Sequence, residues 1–170
     1  VNQDGRTNGI TAPNGDSQRS LLRRAHDMAG VSADAIGMVE AHGTGTRLGD
    51  PIEFDALCDV FREAGAAAGG CALGSVKTNI GHLIAAAGIA GFLKACLSLY
   101  HRERPGSLHF SQPNPHIALA DSPFHVPTQT LPDQDSLETV MDPMWLGSFG
   151  IGRLVEHFAP GDRTNQAQQI

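Results

Sequence analysis

Two glycine-rich segments each carry one histidine at a place where the backbone can turn against a substrate. His42 lies in the stretch Glu40–Pro51, which reads EAHGTGTRLGDP, and His82 ends the later stretch Lys77–His82, which reads KTNIGH. Glycine allows the main chain to approach a ligand closely, and imidazole gains or loses a proton near neutral pH. The two segments therefore predict an active site built around a histidine pair.

The chemistry that suits two neutral histidines is the stabilisation of negative charge on a thioester or enolate oxygen, because each ring can donate a hydrogen bond to it. Such a reaction needs an acyl group held covalently, normally on a reactive cysteine. None of the cysteines stands where the histidine pair would need its nucleophile; they are Cys58, Cys71 and Cys96. The chain therefore looks like part of an active site.

The position of each basic residue suggests its role. We expect His42 at the carboxyl end of a buried strand, where α/β sheets bind ligands; the alternative is a structural histidine satisfied by the turn backbone. We expect His82 at the N-terminus of a long helix, whose dipole disfavours the charged ring. Lys77 would orient a carboxylate or keep His82 neutral by repulsion, unless it is a surface cation at a strand end.

Composition excludes several other classes of function. The net charge of -6 and the absence of a basic run predict no nucleic-acid partner and no membrane surface. The eight histidines include no HExxH motif and the cysteines no CxxC pair, so no metal site is predicted. Unpaired cysteines favour buried free thiols and a cytoplasmic location. The apolar run Leu83–Leu93 is too short to span a bilayer, and Val1 in place of Met suggests an excised or truncated product.

Successive strand and helix patterns predict an α/β layered fold. Helices are expected from Asp16 or Ser17 to Ala29, from Asp50 onwards, and from Gly81 to Tyr100, the last of these central and buried. The predicted strands cover residues 36–41, 71–76, 108–110, 124–126 and 145–151, with a loop over 133–144. A solvated helix face is expected at the arginines of the first helix, with a docking patch as the alternative; these are Arg19, Arg23 and Arg24.

These segments resemble the beta-ketoacyl synthases, specifically the ketosynthase domains of modular type I polyketide synthases. The likeness runs in the same order through residues 1–15, 40–53 and 77–94, and through the segments LHF, PNP and SPF between residues 108 and 124. It implies the thiolase-like αβαβα layered fold, which has two similar halves. By this resemblance, residues 1–152 would be the C-terminal portion of a ketosynthase domain, which is its second half preceded by the end of the first.

The resemblance also assigns site residues. His42 matches the family's first catalytic histidine, His82 the second and Lys77 the supporting lysine. The nucleophilic cysteine belongs to the first half, upstream of this chain. A backbone N–H near Ile151 would complete an oxyanion hole, and the implied substrate-binding and oxyanion region comprises Thr44, Thr46, Asn79, Phe149 and Ile151.

The implied reaction is a decarboxylative Claisen condensation in polyketide or fatty acid biosynthesis. An acyl chain passes from an acyl carrier protein to the missing cysteine. A malonyl or methylmalonyl thioester then loses carbon dioxide, and its enolate attacks the acyl group. No cofactor is bound directly, since substrates arrive on the phosphopantetheine of the carrier protein. The implied partners are acyl carrier protein, the first half of the ketosynthase, other synthase domains and a second copy in a homodimer. The isolated chain is expected to be inactive, because the nucleophilic cysteine is absent.

The C-terminal end departs from the family pattern. Where the family continues with a Gly-Thr-Asn-Ala-His-like segment, this chain reads Arg153–His157 (RLVEH), so residues 153–170 are expected to be a divergent tail. A shifted reading frame or a gene-fragment boundary near Gly152 would explain the change. A noncatalytic ketosynthase-like partner protein and a degenerate gene remnant are therefore the alternative interpretations.

Overall fold

A computed structural model describes residues 2–3, 13–132, 140–146 and 149–155. Its helices are α1 (Gly15–Ala29), α2 (Gly49–Glu63), α3 (Lys77–Ile80) and α4 (Ala87–His101), with 3-10 turns at Ala33–Ala35 and Ile84–Ala86. Its strands are β1 (Asn2–Gln3), β2 (Met38–Glu40), β3 (Cys71–Gly74), β4 (Glu103–Arg104), β5 (Phe124–His125), β6 (Leu131–Pro132), β7 (Val140–Leu146) and β8 (Phe149–Val155).

The main sheet has the strand order β1-β8-β7-β2-β3-β5. Its inner strands are parallel, with Val39 opposite Leu73 on one side and Met141 on the other. β8 returns antiparallel to β7, and β4 pairs with β6 in a separate small sheet. Since β2, β3 and β7 are parallel, their carboxyl ends meet at one edge, where such sheets bind ligands.

The two faces of the sheet are covered by different helices. Val39 and Cys71 belong to the larger core, which includes Phe61 of α2 and Leu22 of α1. Their neighbours Met38 and Ala72 face the other way and pack against Ala95 and Leu99 of α4. This alternation is that of strands buried on both faces, and it makes the described chain a three-layered αβα unit.

The first helix begins earlier than predicted and is capped by a different residue. Oδ1 of Asn14 accepts hydrogen bonds from the backbone N–H groups of Asp16 and Ser17, at 3.0 and 3.1 Å. The cap prediction was therefore wrong, although asparagine at this position performs the same task of satisfying free N–H groups. The helix ends at Gly30, which has a φ of 67°.

Two of the three arginines of α1 form ion pairs with α2. Arg19 Nε lies 2.7 Å from a carboxylate oxygen of Asp59, and Arg23 makes two hydrogen bonds to the carboxylate of Glu63. The predicted solvated face is confirmed for Arg23, whose side chain is 47% exposed although it is ion-paired. Arg19 is only 26% exposed, because its partner Asp59 on α2 lies beside it. Arg24 remains exposed as expected.

The long apolar helix also differs from its prediction. Gly81 and Ile84 adopt positive φ angles of 73° and 50°, so the chain turns twice before α4 begins at Ala87. The helix is not buried all round: Ala95 and Ser98 are covered by the sheet, whereas its opposite face is open. The exposed apolar side chains on that face include Ile89, Leu93 and Leu97.

By length and composition alone, Ile84–His101 is apolar enough to cross a membrane, with 18 residues and a mean hydropathy of 1.4. This apolar segment is longer than the run noted in the sequence. Its packing on β2 and β7 is that of a core helix, because its small residues face the sheet and its Lys94 reaches a buried carboxylate of β2. The apolar composition of Ile84–His101 is therefore explained by its position as the helix layer on one face of the sheet.

The remaining strand predictions are partly confirmed. Phe124–His125 forms a strand, whereas Leu108 and His109 lie in a turn in which His109 has a φ of 61°. Residues 133–139 of the predicted loop lie outside the described residues, but Val140 onward is strand. The single strand predicted over 145–151 is instead part of a hairpin of β7 and β8. β7 begins earlier than predicted because Val140 and Met141 pair with Met38 and Val39 of β2. β8 continues through Val155, past the predicted domain end at residue 152.

Candidate active site

The turn that carries His42 is held by a carboxylate from α2. The backbone N–H groups of His42 and Gly43 donate to the two carboxylate oxygens of Glu53, at 2.7 and 3.0 Å. Burial raises the pKa of Glu53, although these two N–H groups act in the opposite direction. The sequence reading missed this residue, whose only signal was an acid in the first turns of the helix that follows the histidine.

The rest of the first turn is closed by Asp50 and Thr46. The N–H of Gly45 lies 3.1 Å from both oxygens of Asp50, and the N–H of Gly49 donates to the hydroxyl of Thr46 at 3.0 Å. The hydroxyls of Thr44 and Thr46 lie 3.3 Å apart. Thr46 therefore helps to begin α2, and the half-buried Thr44 lies closer to His42 in the turn.

The turn that carries His82 follows α3. The hydroxyl of Thr78 donates to the carbonyl of Ser75 and contacts Oδ1 of Asn79, and the N–H of Ile84 donates to Nδ1 of His82 at 3.0 Å. Because Nδ1 accepts this bond, Nε2 is the proton-bearing nitrogen and is free to donate. His82 lies before the 3-10 turn and not at the N-terminus of α4, so the predicted effect of a helix dipole is wrong.

The fold brings the two histidines together. The centroids of the His42 and His82 rings lie 5.6 Å apart and the ring planes are perpendicular, at 89°. Burial first, and then the charges of Lys77 and His82, lower the pKa of His42 to about 4. His42 is therefore neutral at pH 7, and Lys77 acts electrostatically on His42 in this structure, whereas the sequence reading had placed its effect on His82.

The predicted oxyanion residues lie on β8. Phe149 pairs with Leu146, the last residue of β7, and Ile151 pairs with Met144. Because β7 runs parallel to β2, the end of the hairpin that carries Phe149 lies at the same edge of the sheet as the histidine turns. Asn79, at the end of α3, is exposed near that edge.

A further buried charge lies beneath the site. Glu40, the last residue of β2, is 1% exposed; one of its carboxylate oxygens accepts the N–H of Val76, and the other lies 2.7 Å from Nζ of Lys94. Sequence reasoning missed this pair, because nothing local indicates that the two residues meet. In the part of the chain that the structure describes, no group of three or more His, Cys, Asp or Glu residues is placed to hold a metal ion.

Comparison with known proteins decides the family. The model of the beta-ketoacyl synthase C-terminal domain matches residues 1–111. The chain belongs to the beta-ketoacyl synthase family. Among curated relatives, a phenolphthiocerol/phthiocerol polyketide synthase of Mycobacterium tuberculosis is 56% identical over 132 residues, which are 78% of this chain and 8% of that protein. Erythronolide synthase EryA3 of Saccharopolyspora erythraea is 54% identical over 69% of the chain and 4% of its own length.

Solved ketosynthases show the same fold. The ketosynthase from module 6 of the bacillaene synthase of Bacillus subtilis superposes with a TM-score of 0.85 at 40% identity, covering 93% of this chain and 29% of that one. The oxazolomycin ketosynthase domain KS8 of Streptomyces albus gives a TM-score of 0.83 at 34% identity, over 92% and 42% of the two chains. The resemblance and the α/β layered fold of the ketosynthase second half are thus confirmed, and the chain spans less than a tenth of its curated relatives.

The lowered pKa of His42 provides a direct test of the electrostatic effect of Lys77. Replacing Lys77 with methionine should raise the pKa of His42 above its value of about 4, because one of the two charges that disfavour imidazolium is removed. The pKa should stay below 6.5, since burial is the larger cause and remains. NMR titration of the histidine ring nitrogens measures this. The matched control is Arg24→Met on α1, and an equal shift in both variants would contradict the assignment.

Substitutions at two glycines of the turn that carries His42 distinguish the cost of backbone strain from the cost of a steric clash. Gly43 and Gly45 both have positive φ, at 46° and 74°, but a Cβ on Gly43 would lie 2.9 Å from Cβ of Ser75, whereas one on Gly45 meets nothing within 4 Å. Gly45→Ala should therefore lower the free energy of unfolding by about 1–2 kcal/mol. Gly43→Ala should lower the free energy of unfolding by about 1–3 kcal/mol more than Gly45→Ala does, because the added methyl group pushes the two histidine turns apart. Urea unfolding checks both values, and equal losses would refute the close contact.

Proposed function

We propose that this chain is the histidine-bearing portion of a beta-ketoacyl synthase that performs decarboxylative Claisen condensation. The observation that carries the proposal is the pair of perpendicular imidazoles, 5.6 Å apart, at the carboxyl edge of the sheet. Two imidazole donors at this separation suit a thioester oxygen that becomes negatively charged. The substrates would be an acyl thioester and malonyl- or methylmalonyl-carrier protein, in polyketide or fatty acid biosynthesis.

The nucleophile must come from another part of the enzyme. Cys58 and Cys71 are buried in the core, and burial raises their pKa values to about 11 and about 12, so neither thiol forms a thiolate readily. Cys96 lies on α4, beyond the turn that carries the histidines. The first half of a ketosynthase would supply the cysteine that accepts the acyl chain.

The proposed reaction uses each histidine as a hydrogen-bond donor. The bond between the malonyl carbon and its carboxylate breaks, carbon dioxide leaves, and the electron pair moves onto the thioester oxygen, where His42 and Nε2 of His82 stabilise the enolate. The enolate carbon then attacks the acyl-cysteine carbonyl, and collapse of the tetrahedral intermediate expels the cysteine thiolate. A backbone N–H near Ile151 would serve that intermediate as the oxyanion hole, and Phe149 would adjoin it.

The substrate arm would enter along the exposed turns. Thr44, Thr46 and Asn79 carry polar groups at the same edge as the histidines and would bind a phosphopantetheine arm delivered by acyl carrier protein. We propose no directly bound cofactor, a cytoplasmic location, homodimers in the intact enzyme, and assembly with other polyketide synthase domains.

The open face of α4 supports assembly with a first half. An apolar groove of about 500 Å³ runs along this face, and the residues that line it include Ile80, Leu83, Ile89, Leu93 and Leu97. The groove begins at the turn that carries His82, so a partner seated there would also close the active site. The matched solved ketosynthases extend well beyond this chain, which covers 29% of the bacillaene module 6 enzyme.

The test joins the chain to a first half. We define the complemented domain as the part of the bacillaene module 6 ketosynthase that precedes the matched segment, followed by this chain. It should form a beta-ketoacyl thioester from acyl- and malonyl-carrier protein, and a variant lacking the nucleophilic cysteine of the first half should not. A folded but inert complemented domain would refute the proposal and favour a noncatalytic partner protein, and failure to fold at all would favour a gene remnant.

A further inference from the structure

We propose that the buried pair of Glu40 and Lys94 is a positioning device that sets the separation of the two histidine turns. This inference rests on the proposed function, because it concerns the geometry of the same site. Glu40 ends β2 and lies two residues before His42 in the chain. Its side chain shares the face of Met38, which packs against α4, and so it lies beneath the turn that it precedes.

One carboxylate joins three segments of the fold. Its Oε1 accepts the N–H of Val76, the residue that immediately precedes Lys77, and its Oε2 accepts a hydrogen bond from Nζ of Lys94 on α4. The end of β2, the start of the second histidine turn and the long helix thus meet at a single side chain. A carboxylate that accepts two hydrogen bonds fixes direction as well as distance.

Two contacts also link the two turns near the ends of β2 and β3. The N–H of Ala41 donates to the carbonyl of Gly74 at 2.7 Å, continuing the β2–β3 pairing by one residue. Beyond that point Gly43 lies against Ser75, a contact that limits how closely the turns approach. The bond from Val76 to Glu40 limits how far they separate. Together these contacts set the distance between His42 and His82 from both sides.

An apolar pair would fill the same space. Replacing a buried ion pair by hydrophobic residues of similar volume is often neutral or stabilising, so stability alone gives weak reason for a carboxylate here. Lys94 also lies in a mostly apolar groove, which it lines together with Leu93 and Leu97. What an apolar pair would lack is an acceptor for the N–H of Val76. If the pair only fills space, loss of this acceptor should not affect the reaction; if the pair positions the turns, it should.

Three double variants of the complemented domain isolate this acceptor. E40M/K94M removes the charges and the acceptor, whereas E40Q/K94M removes the charges but keeps an amide oxygen for the N–H of Val76. R23Q/E63Q removes a different ion pair, also 2.7 Å long, between α1 and α2. For each variant, kcat and KM are measured for decarboxylation of malonyl-carrier protein, with active sites counted by acylation of the cysteine.

We expect E40M/K94M to have a lower kcat, and the more conservative variant E40Q/K94M to regain part of it. E40M/K94M should lower kcat per active site by about 100-fold, because misplacing a catalytic group by an ångström costs that much. KM should change less than threefold or so, since binding of the carrier protein is not touched. E40Q/K94M should recover at least about tenfold of the loss, and R23Q/E63Q should match the unsubstituted domain.

The pH dependence of kcat provides a second measurement, and it should change only if the Glu40–Lys94 pair positions the histidine turns. The groups that face His42 are His82, Lys77 and, through the turn backbone, Glu53. When the turns separate, His42 loses burial and the influence of both neighbouring charges, so the acid limb of kcat should move up from about 4. Simple destabilisation would reduce the number of active sites and leave that limb in place.

The outcomes separate the two proposals. An active complemented domain in which E40M/K94M retains full kcat per active site would overturn the positioning role alone. Equal losses in E40M/K94M and E40Q/K94M, with an unmoved acid limb, would also overturn it. An unsubstituted domain that folds and binds malonyl-carrier protein without decarboxylating it would overturn the proposed function, and this inference with it.

Discussion

Replacing Lys94 with methionine, while Glu40 stays in place, should lower the free energy of unfolding of the chain by about 3–5 kcal/mol. Glu40 is 1% exposed and the Lys94 side chain 11% exposed, so the remaining carboxylate would have neither a cation nor water beside it. Urea unfolding followed by circular dichroism gives the value. Since domains of this size are stable by only about 5–15 kcal/mol, the loss should be plain at room temperature.

The control for this prediction removes the uncompensated charge. E40Q/K94M has the same methionine but a neutral amide, so it should recover most of the stability lost in K94M. The comparison between K94M and E40Q/K94M isolates the cost of a buried unpaired carboxylate, because both carry the same change on α4. A K94M chain as stable as the unsubstituted one would show that Glu40 reaches water or another donor, contrary to the structure.

The sequence predicted those features that local pattern determines. Short apolar runs and the placement of glycine and proline located the strand before His42, the strand before Lys77 and the helix after Asp50 to within a few residues. The histidine pair followed from two glycine-rich turns, since parallel strands place their carboxyl ends at one edge. The comparisons confirmed the family, whereas the matching of each histidine to a family role stays a prediction.

Contacts between distant segments were not predictable in the same way. The carboxylates of Glu53 and Glu40 accept backbone N–H groups of the two turns, and Glu40 also pairs with Lys94. The spacing of residues along a helix or strand does not indicate which distant residues will meet in this way. The start of α4 was misplaced because a small apolar run is helical by propensity, whereas Gly81 and Ile84 turn the chain at positive φ. The strand that includes Asp142 and Pro143 was read as loop because sheet pairing overrides residue preference.

The open side of α4 also shows why burial was overestimated. The sequence has the composition of a helix that is covered all round, yet in this chain only the side toward the sheet is covered, and Leu93 and Leu97 are each more than half exposed. Under the proposed function, the first half of a ketosynthase restores the burial that the composition predicts.

In the complemented domain, replacing either His42 or His82 should reduce the rate of decarboxylation by about 100- to 1,000-fold, because under the proposed function each ring donates to the same developing enolate oxygen. His42→Ala and His82→Ala remove one donor each, and the rings lie 5.6 Å apart in the structure. Their effects should not multiply: the double variant should be only slightly slower than the slower single variant, since residues that act as a unit lose most of their effect together.

The acylation step separates a catalytic role of the histidines from a folding defect. The first-half cysteine should still accept an acyl group in both single variants, because their defect lies in stabilising the enolate, and the exposed His116→Ala serves as the matched control with an unchanged rate. Fully multiplicative losses would mean that the histidines act in separate steps. Loss of acylation together with decarboxylation would instead assign the pair to maintaining the fold, in which case the 5.6 Å geometry would have no bearing on the enolate.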